Sequence, residues 1–145
     1  MLKTFALAAA VAAMMSAPAT AKILKWSATL DQAQETAAKV KAPGATGTAS
    51  GTLDTVKHVL TWHVRWSHLS GHATGVHFHG PAKRGQNAGV LVNIGKDSGL
   101  KTPTSGHVRL KAKAVKEIEE GLWYVNVHTK KNPGGEIRGQ VEVVK

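Results

Sequence analysis

Residues 121–128, GLWYVNVH, alternate apolar and polar side chains with a period of two. A strand turns successive side chains to opposite faces, so Trp123, Val125 and Val127 share one side while Tyr124, Asn126 and His128 share the other. Residues 75–80, GVHFHG, repeat the pattern, with Val76 and Phe78 pointing one way and His77 and His79 the other. Two strands thus each offer an apolar face to a core and a histidine-bearing face elsewhere.

Outward from these two segments the same period recurs between Gly, Pro, Asn and Ser punctuation, which predicts an all-β chain. Strands are expected over residues 25–30, 46–53, 58–66, 74–79, 90–94, 106–111, 123–128 and 136–144. About eight short strands in one domain suggest a Greek-key β-sandwich or barrel. One short helix is expected at residues 112–120, AKAVKEIEE, where Val115 and Ile118 stand three apart and Gly121 provides the stop. The polar, small-residue stretch at 32–45, QAQETAAKVKAPGA, predicts a long connection or mobile flap.

The first 21 residues, MLKTFALAAAVAAMMSAPATA, combine one lysine, an apolar run from Phe5 to Met15 and a small Ala19-Thr20-Ala21 site. This is the pattern of a secretory signal peptide, so a periplasmic or secreted protein is expected, with one domain over residues 22–145. No run approaches the roughly 18 apolar residues that crossing a bilayer as a helix needs. The chain holds no cysteine, so no disulfide staples the fold and any metal must be bound by nitrogen and oxygen. The formal net charge is +10, which favours anionic partners. No recognition helix, zinc-finger spacing or base-stacking platform accompanies that charge, so nucleic acid is not the expected partner.

Side chains at i and i+2 on a strand lie about 7 Å apart at the backbone, close enough for two imidazoles to lean onto one ion. His77 and His79 are therefore a natural half of a metal site. His128, on a second strand of the same alternation, is the best third ligand on spacing. Without sulfur, three or four imidazoles suit copper or zinc, and Cu(II) binds most tightly in the divalent series. His72 is the preferred fourth ligand, five residues from His77 across an expected bend, with His68, His63 and His107 as alternatives. His58 reads as a strand-edge surface residue.

The segments LSGHATGVHFHGPAKRGQNAGVLVNI (69–94) and GLWYVNVHTKKNPGGEIRGQV (121–141) resemble the chordin-type, or CHRD, domain, whose pattern has H-x-H-G-P-A early and Y-V-N-V-H-T with N-P-G-G-E-I-R-G-Q late. The resemblance spans roughly residues 24–144 and implies a β-sandwich, immunoglobulin-like or Greek-key. A second resemblance is to the copper-zinc superoxide dismutases, on Gly75-Val76-His77-Phe78-His79, on Val127-His128-Thr129-Lys130, and on Gly134, Gly135 and Arg138. It implies that His77, His79 and His128 are copper ligands and that Arg138 guides an anion to the open coordination position. The long loop that carries the zinc ligands, the bridging histidine and the disulfide cysteines in those enzymes has no counterpart in the short basic stretch at 81–88. One copper per chain and no zinc is the implication.

In the strand GEIRGQV a second role is open to Arg138, pairing with Glu136 to hold the C-terminal strand. Glu136 in turn is expected to orient a ligand histidine through its second ring nitrogen. The leading expectation is an exported copper-only superoxide dismutase, monomer or homodimer, acting on a small anion. A periplasmic copper carrier or buffer with the same ligands, and a metal-free interaction module, are the alternatives.

Overall fold

The computed structural model describes residues 22–36, 40 and 42–145, so the expected leader lies outside the described residues, as does part of the 32–45 connection. Among the described residues nine strands form: β1 (Ile23–Asp31), β2 (Thr46–Asp54), β3 (Val59–Ser67), β4 (Ala73–His79), β5 (Val90–Asn93), β6 (Thr104–Arg109), β7 (Tyr124–Thr129), β8 (Ile137–Gln140) and β9 (Glu142–Val143). They pair antiparallel in the order β5-β4-β7-β8-β1-β2-β3-β6, with β9 added beside β1. The sheet curls on itself, and the expected all-β, sandwich-like fold is what the chain adopts.

Two details differ from the reading of the sequence. The expected strand at 136–144 divides at Val141, whose side chain is buried and whose amide turns to the carbonyl of Trp123, leaving β9 to pair with Trp26 and Ser27 of β1. The expected helix is α2 (Ala112–Glu119), but a second, α1 (Ile94–Ser98), follows β5 directly. Its cause is local: the Asn93 side chain accepts a hydrogen bond from the Lys96 amide at 2.9 Å and caps the turn, ending the strand. The 32–45 connection opens with a 3-10 turn, Gln32–Gln34, capped in the same way by Asp31.

Period-two alternation fills the interior of the curl. Phe78 is its centre, with ring centroids 5.6 Å from Trp26, 6.0 Å from Trp62 and 5.9 Å from Trp123, all in edge-on or tilted contact. These three tryptophans come from β1, β3 and the entry to β7. Val76, Val125, Val127 and Ile137 close around them with no exposed surface. Since Phe78 and Val76 are locked inward, His77 and His79 are driven to the other face of β4, and Val125 and Val127 do the same for His128 on β7.

A candidate metal centre on the histidine face

β4 and β7 are neighbours although β5, both helices and β6 separate them in the chain. Their register sets His79 opposite Tyr124, His77 opposite Asn126 and Gly75 opposite His128. A β-bulge between Ala73 and Gly75 adjusts the strand at this point. Gly75 leaves the space that a side chain would occupy. A Cβ there would stand 2.8 Å from His77 Cε1 and 3.4 Å from His128 Cδ2, so the two rings lean together over the glycine.

The result is a three-imidazole cluster. Ring centroids are 4.9 Å apart for His77 and His128, 5.6 Å for His77 and His79, and 5.9 Å for His79 and His128. One ring nitrogen of each histidine lies within 4.8 Å of those of the other two. The three residues singled out in the sequence therefore meet in space.

Backbone carbonyls decide which nitrogen each ring presents. His79 Nδ1 lies 3.0 Å from the oxygen of Ala88, and His128 Nδ1 lies 2.9 Å from that of Pro133. A carbonyl only accepts, so each Nδ1 carries the proton and each Nε2 keeps its lone pair. His79 Nε2, His128 Nε2 and His77 Nδ1 are buried without a hydrogen-bond partner. Leaving such a buried polar atom unpaired costs about 1–3 kcal/mol. Each ring of the cluster thus carries one such nitrogen, an arrangement that a nitrogen-seeking cation would relieve.

Electrostatics agree with that role. Burial, then the neighbouring His128 and His79, pushes the His77 imidazole down to about 4. Burial also lowers His79 and His128, against the upward pull of their carbonyl partners. All three rings are neutral at neutral pH, the form that ligates a metal. Neutral imidazoles with no thiolate and no carboxylate among them fit copper or zinc.

The other candidates are placed elsewhere. His72 is exposed and does not join the cluster. His72 stands just before β4, which begins at Ala73, and the bulge between Ala73 and Gly75 does not bring it to the cluster. His72 and His68 instead line a hollow of about 490 Å³ with Leu100 and Lys101. His63 bonds Ser105 at 2.7 Å and lies 3.1 Å from Arg65, while His107 is exposed on β6 opposite Thr61. His58 carries φ 57° in the β2–β3 turn.

Arg138 and Glu136 do not pair with each other. Glu136 is fully buried and its carboxylate accepts from the Ser70 amide at 2.6 Å, from the Ser70 and Thr129 hydroxyls, and from Asn132 Nδ2 at 2.8 Å. Burial pushes this carboxyl up, but the hydrogen bonds together outweigh it and hold it below the ordinary value. Glu136 therefore clamps the β3–β4 connection to the β7–β8 loop, and the partner of His128 is a carbonyl of that loop, not this carboxylate. Arg138 is 2% exposed, with its guanidinium 3.5 Å from the ring centroid of Tyr124. It donates to the Gln86 carbonyl at 2.7 Å and to Asn87 Oδ1 at 3.1 Å.

Tyr124 and Asn126, on the face of His128 by simple alternation, complete the surroundings. The Tyr124 ring stacks on His79 at 4.8 Å with an interplanar angle of 2°. Asn126 donates to Glu35, whose carboxyl burial pushes up to about 7 against the pull of Asn126 and Arg138. No local signal in the sequence ties Glu35 to Asn126, because the contact spans 91 residues.

The profile of the CHRD domain matches residues 26–141. The chain belongs to the CHRD-domain family. This is a family of extracellular β-domains, in keeping with the expected export. No curated protein and no solved structure matches the chain, so likeness establishes the family and nothing finer. Among the described residues of this CHRD domain, no helix is long and apolar enough to cross a membrane.

Proposed function

We propose that this CHRD domain holds one copper ion through His77 Nδ1, His79 Nε2 and His128 Nε2, and that it dismutates superoxide in the periplasm or outside the cell. The observation that carries the reading is the meeting of three histidines, each with one buried, unpartnered ring nitrogen. Copper is favoured over zinc because Cu(II) heads the affinity order for an all-nitrogen set. The motif likeness to copper-zinc superoxide dismutases at 75–79 and 127–130 points the same way. Bound copper supplies one-electron chemistry, by which one superoxide is oxidised to dioxygen and a second, with two protons, is reduced to hydrogen peroxide.

The chain's own residues prepare that chemistry. The Ala88 and Pro133 carbonyls hold two rings in the tautomer that aims Nε2 inward. His77 and His128 are each partly exposed, although the unpartnered nitrogens are buried. Lys130 and Lys131, just after β7, and Lys83, between β4 and β5, are all exposed on loops that adjoin the histidine strands. A basic rim of this kind raises the encounter rate of a small anion by roughly 10 to 1,000-fold.

The test is a copper titration of the metal-free protein, with electron paramagnetic resonance and superoxide decay followed on the same sample. One tight Cu(II) per chain, nitrogen hyperfine structure and rapid, salt-sensitive superoxide loss are expected. Tight copper without turnover would assign a carrier or buffer instead. Absence of stoichiometric copper would overturn both and leave a metal-free interaction module.

A further inference from the structure

Arg138 spends its donors away from the imidazole cluster, and what it touches leads to one member of that cluster by two separate routes. The first is aromatic. Arg138 on β8 and His79 on β4 flank β7, and the Tyr124 ring on β7 receives the guanidinium at 3.5 Å and the His79 imidazole at 4.8 Å, nearly parallel. A cation near the ring and a ring stacked on the imidazole together restrict rotation of His79 about its Cβ–Cγ bond.

The second route runs through the β4–β5 loop. Gln86 and Asn87 are exposed, and Arg138 reaches both, at the Gln86 carbonyl and at Asn87 Oδ1. The next residue, Ala88, supplies the carbonyl that accepts the proton of His79 Nδ1. The same carbonyl accepts from the Tyr124 hydroxyl at 3.2 Å, and the Ala88 amide donates back to that hydroxyl at 3.2 Å. The loop that sets the tautomer of His79 is therefore anchored to the sheet by Arg138 on one side and by Tyr124 on the other.

We propose that Arg138 is a positioning residue for His79. It holds the loop at Gln86 and Asn87, and the Tyr124 ring, so that the Ala88 carbonyl keeps the His79 proton on Nδ1 and Nε2 is directed into the cluster. Because the guanidinium is buried and committed to these partners, and that of Arg84 is held by Glu142 and Gln34, drawing in the anion falls to the exposed lysines. The role rests on the reading of the three histidines as ligands, but its first measurement needs no metal.

In metal-free, 15N-labelled protein, long-range proton–nitrogen correlation of the imidazoles reports the tautomer of each histidine. The wild type is expected to show His79 in the Nδ1–H form. Arg138→Gln is expected to mix the two tautomers at His79 while leaving His128 unchanged. In the same variant, copper affinity falls about 10–100-fold, the usual cost of losing an outer-shell partner, and the Cu(II) resonance parameters shift. Arg138→Lys, which keeps the cation but not the two-pronged hold on the loop, recovers part of the effect.

Asn87→Ala removes one anchor from the loop. It moves His79 in the same direction by less, and it decides the question if Arg138→Gln does not fold. An unchanged His79 tautomer and copper spectrum, together with weakened azide binding in Arg138→Gln, would overturn the proposal and assign Arg138 to the anion. Failure of the wild type to bind copper would remove the copper reading alone, since the metal-free spectra still decide whether Arg138 orders His79.

Discussion

Gly75→Ala isolates the packing of the cluster from the chemistry of its ligands. The added Cβ would lie 2.8 Å from His77 Cε1, 3.3 Å from His77 Nε2 and 3.4 Å from His128 Cδ2. Carbon atoms rest at about 3.5–4.0 Å, so the His77 ring must retreat by roughly 0.7 Å. Ligand distances in metal sites hold to within about 0.2 Å, so a displacement of this size spoils the meeting of the three nitrogens. We expect copper affinity to fall about 10–100-fold, or ~1.4–2.7 kcal/mol. The fold itself should scarcely change. Alanine is better than glycine within a strand by about 0.5–1 kcal/mol, and an off-rotamer His77 costs about 0.5–1.5 kcal/mol, so the two nearly cancel. Competition with a chelator gives the affinity, and urea unfolding of the metal-free variant gives the stability. A folded variant with copper affinity within about twofold of wild type, and the same paramagnetic spectrum, would refute the placement of both rings over Gly75.

Phe78→Ala empties the space between three tryptophans and should destabilise the metal-free protein by about 3–5 kcal/mol in urea unfolding, whereas a loss below ~1 kcal/mol would contradict its central place in the core. Glu136→Gln sets a new NH2 group against the donors of Ser70, Thr129 and Asn132, at a cost of roughly 2–4 kcal/mol. Faster amide exchange at Ser70 is the direct sign of that loss, and unaltered protection there would argue against the clamp. His77 is held at about 4 when folded and has the ordinary value of 6.5 when unfolded, so its contribution to metal-free stability is present above about pH 6.5 and is lost as pH falls toward 4. In His77→Gln the slope of stability against pH across that window should shrink by about one proton, and a wild-type slope in the variant would remove His77 from the buried set.

Much of the fold was legible because its cause is local. Alternation of the kind seen in GLWYVNVH states which side chains are interior wherever a strand has one buried face, and Val76, Phe78, Val125 and Val127 are all fully buried as that rule requires. The misplaced boundaries have equally local causes with a less visible signal. Asn93 caps a helix where continued alternation suggested a longer strand, and buried Val141 diverts the last strand to a different neighbour. Which strands become neighbours is another matter. β4 and β7 adjoin only because the whole sheet curls in one order, and that order depends on contacts such as Phe78 with Trp26 and Trp62 that no window of sequence contains.

The same distinction governs the candidate site. Candidate ligands follow from residue type and spacing, so His77, His79 and His128 could be named from the chain alone, and the fold brings them together. His72 could be named too, and it fails because it lies just before β4, exposed and outside the cluster. The choice of donor atom, by contrast, is made at His79 and His128 by main-chain carbonyls, those of Ala88 and Pro133, which any residue would supply and which therefore leave no trace in composition. Arg138 stands between these cases. Its position in a motif marks it as functional, but only the structure reveals that it stands opposite Asn126 and that its guanidinium reaches diagonally to Tyr124 and to the 86–88 loop. A motif therefore names the residues a site uses, and the backbone around them decides which of their atoms do the work.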